Sequence, residues 1–222
     1  MKIKDSLITV AIDSPAAAGA GTQAKLIAKE YNLFYLDTGK IYRFIGSLKI
    51  KNKLTFNYKF VKKRINRIKL KDLSKKELLS DNVAYQASLL ARDIRIRNIV
   101  KFFQTKNAYK PPKKYSGSVL DGRDITSVIM KDAKFKFFIT ANVSVRAKRR
   151  YLEYKRLGKK ISYSEVLKSL KNRDNLDKNR KNSPLKKTKD SILINTSKLS
   201  KKACFLKIKS IMDKKLKING NI

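Results

Sequence analysis

Residues Thr9 to Lys25, TVAIDSPAAAGAGTQAK, are the best-formed candidate in this sequence for gripping an anion. A short apolar run, Val10, Ala11 and Ile12, leads into Ser14-Pro15-Ala16-Ala17-Ala18-Gly19-Ala20-Gly21-Thr22, and helical spacing resumes at Ala24, Ile27, Ala28 and Tyr31. Strand, small-residue turn and helix is the context that a phosphate loop needs. Small side chains let backbone N–H groups close around phosphate oxygens, and the helix start adds unpaired N–H groups and the positive end of its dipole. The usual form of such a loop is G-x-x-x-x-G-K-[ST]. Here Ser14 replaces the first glycine, Gly19 keeps the second, Ala20 stands in the lysine position, and Gly21-Thr22 brings the hydroxyl one residue late. Taken alone, the stretch reads equally well as a small-residue turn between a buried strand and a helix.

Other residues able to meet an anion recur at the ends of apolar runs. Leu33–Leu36 ends in Asp37-Thr38-Gly39, with Arg43 close behind, and Ser118–Leu120 ends in Asp121-Gly122-Arg123-Asp124. In a parallel sheet the carboxyl ends of the strands line the ligand crevice, so Thr38, Arg43, Asp121 and Arg123 are expected there. Asp121 is an acid able to orient Mg²⁺ or water, Gly122 permits close backbone approach, and Arg123 suits phosphate. Ser88, Arg92, Arg95 and Arg97 share one helical stretch, in a chain whose other cations are mostly lysine. Arginine pairs with phosphate through two parallel hydrogen bonds, which lysine does not. Arg146, Arg149 and Arg150 fall on one helix face at i, i+3, i+4. Arg173, Asp177 and Arg180 fall on another, so that face reads Arg, Asp, Arg. For each set the competing reading is an ordinary cap or a solvated helix face.

The elements that must carry these residues follow from periodicity. Strands are expected at 7–12, 33–36, 118–120, 135–141 and 191–195, and helices at 21–31, 82–100 with a break near Asp93, 143–157 and from Leu199 onward. Gly158 stops one helix, and Ser162 with Glu165 forms a capping box at the start of the next, which Ser183-Pro184 then ends. The last helix is expected to bury Phe205, Ile208 and Met212, with Cys204 beside them in the core, and to fray at Asn219-Gly220-Asn221. Residues 50–82 read as a small inserted segment. Buried strands alternating with helices define an α/β fold, a parallel sheet flanked by helices.

Composition excludes several classes. A chain of 222 residues with 42% hydrophobic residues can bury a sizeable core and is not disordered, although 32% of it is charged. One cysteine permits no internal disulfide, which suits a reducing cytoplasm. No apolar run reaches the roughly 20 residues of a membrane span, and MKIKDSLITVAIDS lacks the pattern of a signal peptide. The net charge of +38 raises the question of a nucleic acid. The lysines, however, are spread along the whole chain, without a basic arm, a zinc pattern or a recognition helix. General enrichment in lysine, isoleucine and asparagine points to compositional drift, and no specific nucleic-acid partner and no membrane are expected.

The order of the pieces is more specific than any one of them. SPAAAGAGTQAK, LDTGKIYR, the Ser/Arg helix, LDGRD, the Arg-rich helix, RDNLDKNR with SPL, and ILINTS together resemble the bacterial cytidylate kinases, over nearly the whole chain. The resemblance implies one phosphate-loop kinase domain over 1–222, with a monophosphate-binding segment at 40–100 and a helical lid at 146–182. It implies transfer of the ATP γ-phosphoryl group to CMP or dCMP with Mg²⁺, in a cytoplasmic monomer with no dedicated metal-ligand set. By position, Ser14, Ala16, Ala17, Ala18, Gly19, Ala20, Gly21, Thr22, Arg146 and Arg149 would meet ATP. The acceptor would meet Thr38, Arg43, Ser88, Arg97, Asp121, Arg123, Arg173, Asp177 and Arg180, with Ser88 and Arg97 at the cytosine edge. Arg43, Arg123 and Arg180 would take its phosphate and sugar, and Asp121 and Asp177 would accept from its amine or hydroxyls. Arg123, Asp121 and Arg150 are the catalytic set on this reading.

Two departures stand out. Ala20 lacks the loop ammonium, and Lys25, five residues further along the helix, is no evident substitute. A slowed enzyme partly compensated by lid arginines is expected, with an impaired kinase-fold protein that binds RNA or another nucleotide as the alternative. Between Phe60 and Ser88 the chain is also shorter than the family's three-stranded substrate segment, which leaves open a kinase of the same class acting on another small molecule.

Overall fold

The computed structural model describes residues 7–218, apart from the side chains of Asp81, Lys217 and Ile218. The expected tail Asn219-Gly220-Asn221 lies outside them. Five strands form one sheet: β1 (Ile8–Asp13), β2 (Leu33–Asp37), β3 (Gly117–Gly122), β4 (Phe135–Thr140) and β5 (Ile192–Asn195). They pair in the order β2-β3-β1-β4-β5, every pair parallel. The central strands are buried on both faces, as a parallel sheet covered by helices requires.

The two faces use alternate residues of the same strands. Val10, Ile12, Val119 and Phe137 pack on α1 (Ala20–Glu30) and α8 (Lys201–Ile218). Ala11, Phe34, Leu36 and Leu120 face α2 (Thr38–Lys51), α3 (Tyr58–Asn66), α4 (Asp81–Leu90) and α5 (Ile94–Tyr109). A third, smaller core lies outside the sheet, where Ala147 and Tyr154 of α6 (Val143–Arg156) meet Val166 and Leu170 of α7 (Tyr163–Asn179). In α8 the fully covered stripe is Cys204, Ile208 and Met212, with Phe205 only partly covered at its flank.

Local chemistry sets most boundaries. Gly158 adopts φ +70 just past α6, and Ser162 and Glu165 close a reciprocal capping box on α7. The expected helix over 82–100 is two helices, because Asp93 turns its carboxylate onto the N–H of Arg95 and caps α5. The segment between α3 and α4 is two short 3₁₀ turns, Leu70–Ser74 and Lys76–Leu79, anchored by buried Leu73 and Leu78. A single π-helical turn at Ile125–Ile129 follows β3.

Candidate active site

At the carboxyl end of β1 the chain turns through residues 14–19 into α1. Two residues of this turn occupy left-handed backbone conformations, Ala17 at φ 60 and Gly19 at φ 93. Gly19 caps α1 without any side-chain bond, and the first turn of α1 carries no acid. Its initial N–H groups thus receive no side-chain cap, the arrangement of an anion-binding helix start. Asp13 anchors the loop from below. Its buried carboxylate accepts from the N–H groups of Ile125 and Thr126 and from the Thr126 hydroxyl, at 2.7, 2.9 and 2.6 Å. Burial raises its pKa to about 6 against those three hydrogen bonds.

Next to the loop, the end of β3 meets the start of α2. Thr38 donates its hydroxyl to the Asp121 carbonyl at 2.8 Å. This approach requires glycine at 122, where an added Cβ would lie 2.5 Å from the Thr38 oxygen. Asp37 caps α2 through the Lys40 N–H. Asp121 sits beside Gly21, hydrogen-bonded to the Tyr35 hydroxyl. Burial and the nearby Asp37 raise the Asp121 carboxyl well above the ordinary range, to about 8, and its Oδ1 has no hydrogen-bond partner.

The arginines expected at the acceptor site converge from four segments. Arg97 of α5 is buried, ion-paired to Asp124 and bonded to the Ala91 carbonyl, with its guanidinium 6.0 Å from the Tyr42 ring centroid. Arg180, just past α7, approaches the other oxygen of Asp124 at 3.6 Å and donates to the Ser183 carbonyl at 2.6 Å. Arg123 donates to Asp177 at 2.7 Å and to the Gly122 carbonyl at 3.1 Å. Burial works against the charge on Asp177, yet Arg123 and Arg173 outweigh it and hold its pKa below the usual carboxylate value. Arg173 lies among Arg123, Arg43 and Arg150, and its buried Nε has no hydrogen-bond partner. Burial and those neighbouring cations lower its pKa to about 10. Arg43 of α2 donates to the Leu78 carbonyl at 2.7 Å. The result is a cationic cleft beside the loop, in which Arg97 and Arg180 flank Asp124, Arg123 and Arg173 lie at Asp177, and Arg43 and Arg150 lie near Arg173.

Three expected site residues are engaged elsewhere. Ser88 donates its hydroxyl to the Tyr85 carbonyl of its own helix. Arg146, 4% exposed, donates to the carbonyls of Ala141 and Ala16 and grips Asp174 with both terminal nitrogens. Arg149 donates to the hydroxyl and carbonyl of Thr196, whose hydroxyl in turn donates to the Ala18 carbonyl. Arg150 of α6 lies close enough to Arg173 to act on its charge, and it also pairs with Glu153. Sequence reasoning missed Asp124 as the acid that joins Arg97 to Arg180, having weighted Asp121 from the same run. The signal was there: Asp124 lies beyond the strand end, where an acid next to a glycine-permitted turn can swing toward cations from other segments.

A five-stranded parallel sheet in this order, with a phosphate loop after its central strand and an arginine-lined cleft, defines the phosphate-loop kinase class of α/β protein. A family model described as Cytidylate kinase matches residues 10–214. The chain belongs to the cytidylate kinase family. A cytidylate kinase of Clostridium botulinum is 38% identical over 220 residues, covering 93% of this chain and 98% of the relative. One from Clostridium tetani is 42% identical over 202 residues, covering 86% and 87%, and one from Bartonella henselae is 39% identical over 205 residues, covering 92% and 94%. Among solved structures, an uncharacterized protein from Eubacterium ventriosum superposes with a TM-score of 0.55 at 18% identity, over 93% of this chain and 98% of that one, a likeness of fold.

Proposed function

We propose that this chain transfers the γ-phosphoryl group of ATP to CMP or dCMP, as a cytoplasmic enzyme. The observation that carries the reading is the convergence of Arg43, Arg97, Arg123, Arg173 and Arg180 on one cleft beside the loop at 14–22. Phosphoryl transfer passes through a loose transition state, so the protein's task is to hold two anions in line and spread their charge. The loop N–H groups and the start of α1 receive the donor phosphates. Arg43, Arg123 and Arg173 receive the acceptor phosphate, with Arg150 supplied by α6. Asp177 orients Arg123 and accepts from sugar hydroxyls. Asp124, held between Arg97 and Arg180, presents acceptor oxygens suited to the exocyclic amine of a cytosine.

A hard cation travels with ATP, and the residues fit it. Among the described residues no group of His, Cys, Asp and Glu forms a metal cage. Mg²⁺ needs only one or two protein oxygens besides phosphate. The Thr22 hydroxyl and the Asp121 carboxylate, whose Oδ2 lies beside Gly21 and whose Oδ1 has no hydrogen-bond partner, offer such oxygens. The ion supplies charge neutralisation, and a nearby divalent cation favours the ionised form of Asp121.

Ala20 supports a second reading, an impaired kinase-fold protein that binds a nucleotide or RNA. A coupled assay with ATP and CMP, run on the parent and on Ala20→Lys, separates them. Slow turnover in the parent, raised roughly 10²–10³-fold by the lysine, is the expected result, since one preorganised donor is worth about that much. No turnover in either protein, together with RNA binding that falls steeply with salt, would establish the second reading instead.

A further inference from the structure

We propose that Arg146 is a positioning residue that links the two nucleotide half-sites, so that filling the phosphate loop strengthens the grip on the acceptor. This inference rests on the assignment of those half-sites above. Its geometry is direct. One guanidinium holds the Ala16 carbonyl of the loop at 3.0 Å, the Ala141 carbonyl at the foot of α6 at 2.8 Å, and both oxygens of Asp174 at 3.1 and 2.5 Å. Asp174 is the immediate neighbour of Arg173 and lies one turn before Asp177 in α7, the two residues of that helix facing the acceptor.

A second, apolar contact runs alongside. The Ala16 side chain is seated in the same buried cluster as Ala147, Tyr154, Val166 and Leu170, the core between α6 and α7. The phosphate loop is therefore packed into the lid as well as bonded to it. Seating a triphosphate fixes the loop backbone, and the Ala16 carbonyl with it. That carbonyl and Asp174 share one planar, rigid donor group, so the position of one constrains the other. Lysine, with a single nitrogen, cannot hold both in register. The pair also borders a cavity of about 350 Å³ lined by Lys178, Leu185 and Lys187, which leaves α7 room on that side to sit differently when the link is broken.

Coupling of this kind is a binding free energy and is reciprocal between the ligands. It is measured by calorimetric titration of CMP into the protein with and without the non-transferable β,γ-imido analogue of ATP. In the parent, the analogue is expected to tighten CMP binding about tenfold, within the usual range for coupled sites. Asp174→Asn keeps the shape of α7 and removes the charge that fixes the guanidinium. It is expected to bring the factor below about twofold, while each ligand alone binds within about threefold of the parent. Asp174→Glu, which restores the charge, is expected to recover part of the factor. Arg146→Lys is the second probe should Asp174→Asn fail to fold, and it is expected to lose the coupling likewise. The same variants should show a raised KM for CMP at saturating ATP with a smaller change in kcat. Coupling that persists in the folded variants, or none in the parent although both ligands bind, overturns the link. A parent that binds neither ligand overturns the proposed function, and the link falls with it.

Discussion

The phosphate loop places an alanine where backbone geometry favours glycine. Ala17 holds φ 60, a left-handed conformation that costs an L-residue roughly 1–2 kcal/mol. Glycine would remove that cost but lose more entropy on folding, about 0.5–1 kcal/mol. Ala17→Gly is therefore expected to stabilise the fold by up to about 1 kcal/mol, read as a higher urea midpoint at an unchanged slope. A lower midpoint would mean that the methyl group, which packs at the edge of the α6–α7 core, contributes more than the strain costs. Single residues also mark the limit of what the sequence disclosed. The placement of Thr38 and Arg123 was legible because they follow strand ends, and that of Arg173 and Asp177 because they share a helix face. The roles of Arg146 and Arg149 were not. Spacing places a side chain on a face, but which carbonyls it meets depends on elements more than a hundred residues away, here the loop at Ala16.

At the scale of elements, β1 and the π-helical turn are held together by Asp13, and that joint responds to pH. The carboxyl has a pKa of about 6 in the folded chain against 3.8 for the ordinary group. Between those values the native state keeps a proton that the unfolded state has released. The contribution of Asp13 to stability is thus full below about pH 4 and falls as pH rises through 6, by at most about 3 kcal/mol. Urea denaturation at about pH 4.5 and 6.5 should show a smaller loss over that interval for Asp13→Asn than for the parent. Equal losses would rule out Asp13 as their source. The regular elements were the most readable, because their signals are local: the Ser162–Glu165 box, Gly158, and the apolar runs of β1, β3 and β4. The 3₁₀ turns at 70–79 and the π turn at 125–129 have no such local signature. The first follows buried Leu73 and Leu78, and the second follows the two N–H groups that Asp13 draws inward.

The whole molecule carries a net charge of +38. Such a charge repels itself in the compact state and attracts anionic ligands from a distance. Screening acts on both. Taking the salt from about 0.01 to 0.1 M shortens the Debye length from roughly 30 to 10 Å. Over that range the melting temperature is expected to rise, while the KM values for ATP and CMP rise as the attracting field is cut. A melting temperature that stays flat or falls would mean that the ion pairs, such as Lys51 with Glu77 and Lys209 with Glu30, outweigh the general repulsion.

The arginine cleft also bears on how long the chain lasts. Folding has to bring Arg43, Arg123, Arg150 and Arg173 together with Asp177 as the carboxylate among them. An occupant at a hundred times its dissociation constant adds about 2.7 kcal/mol to the folded state, roughly a hundredfold fewer openings for a protease to find. The abundance of this protein would then follow the nucleotide pool itself, persisting in a well-fed cell and wasting away in a starved one, with no regulator needed to sense the difference.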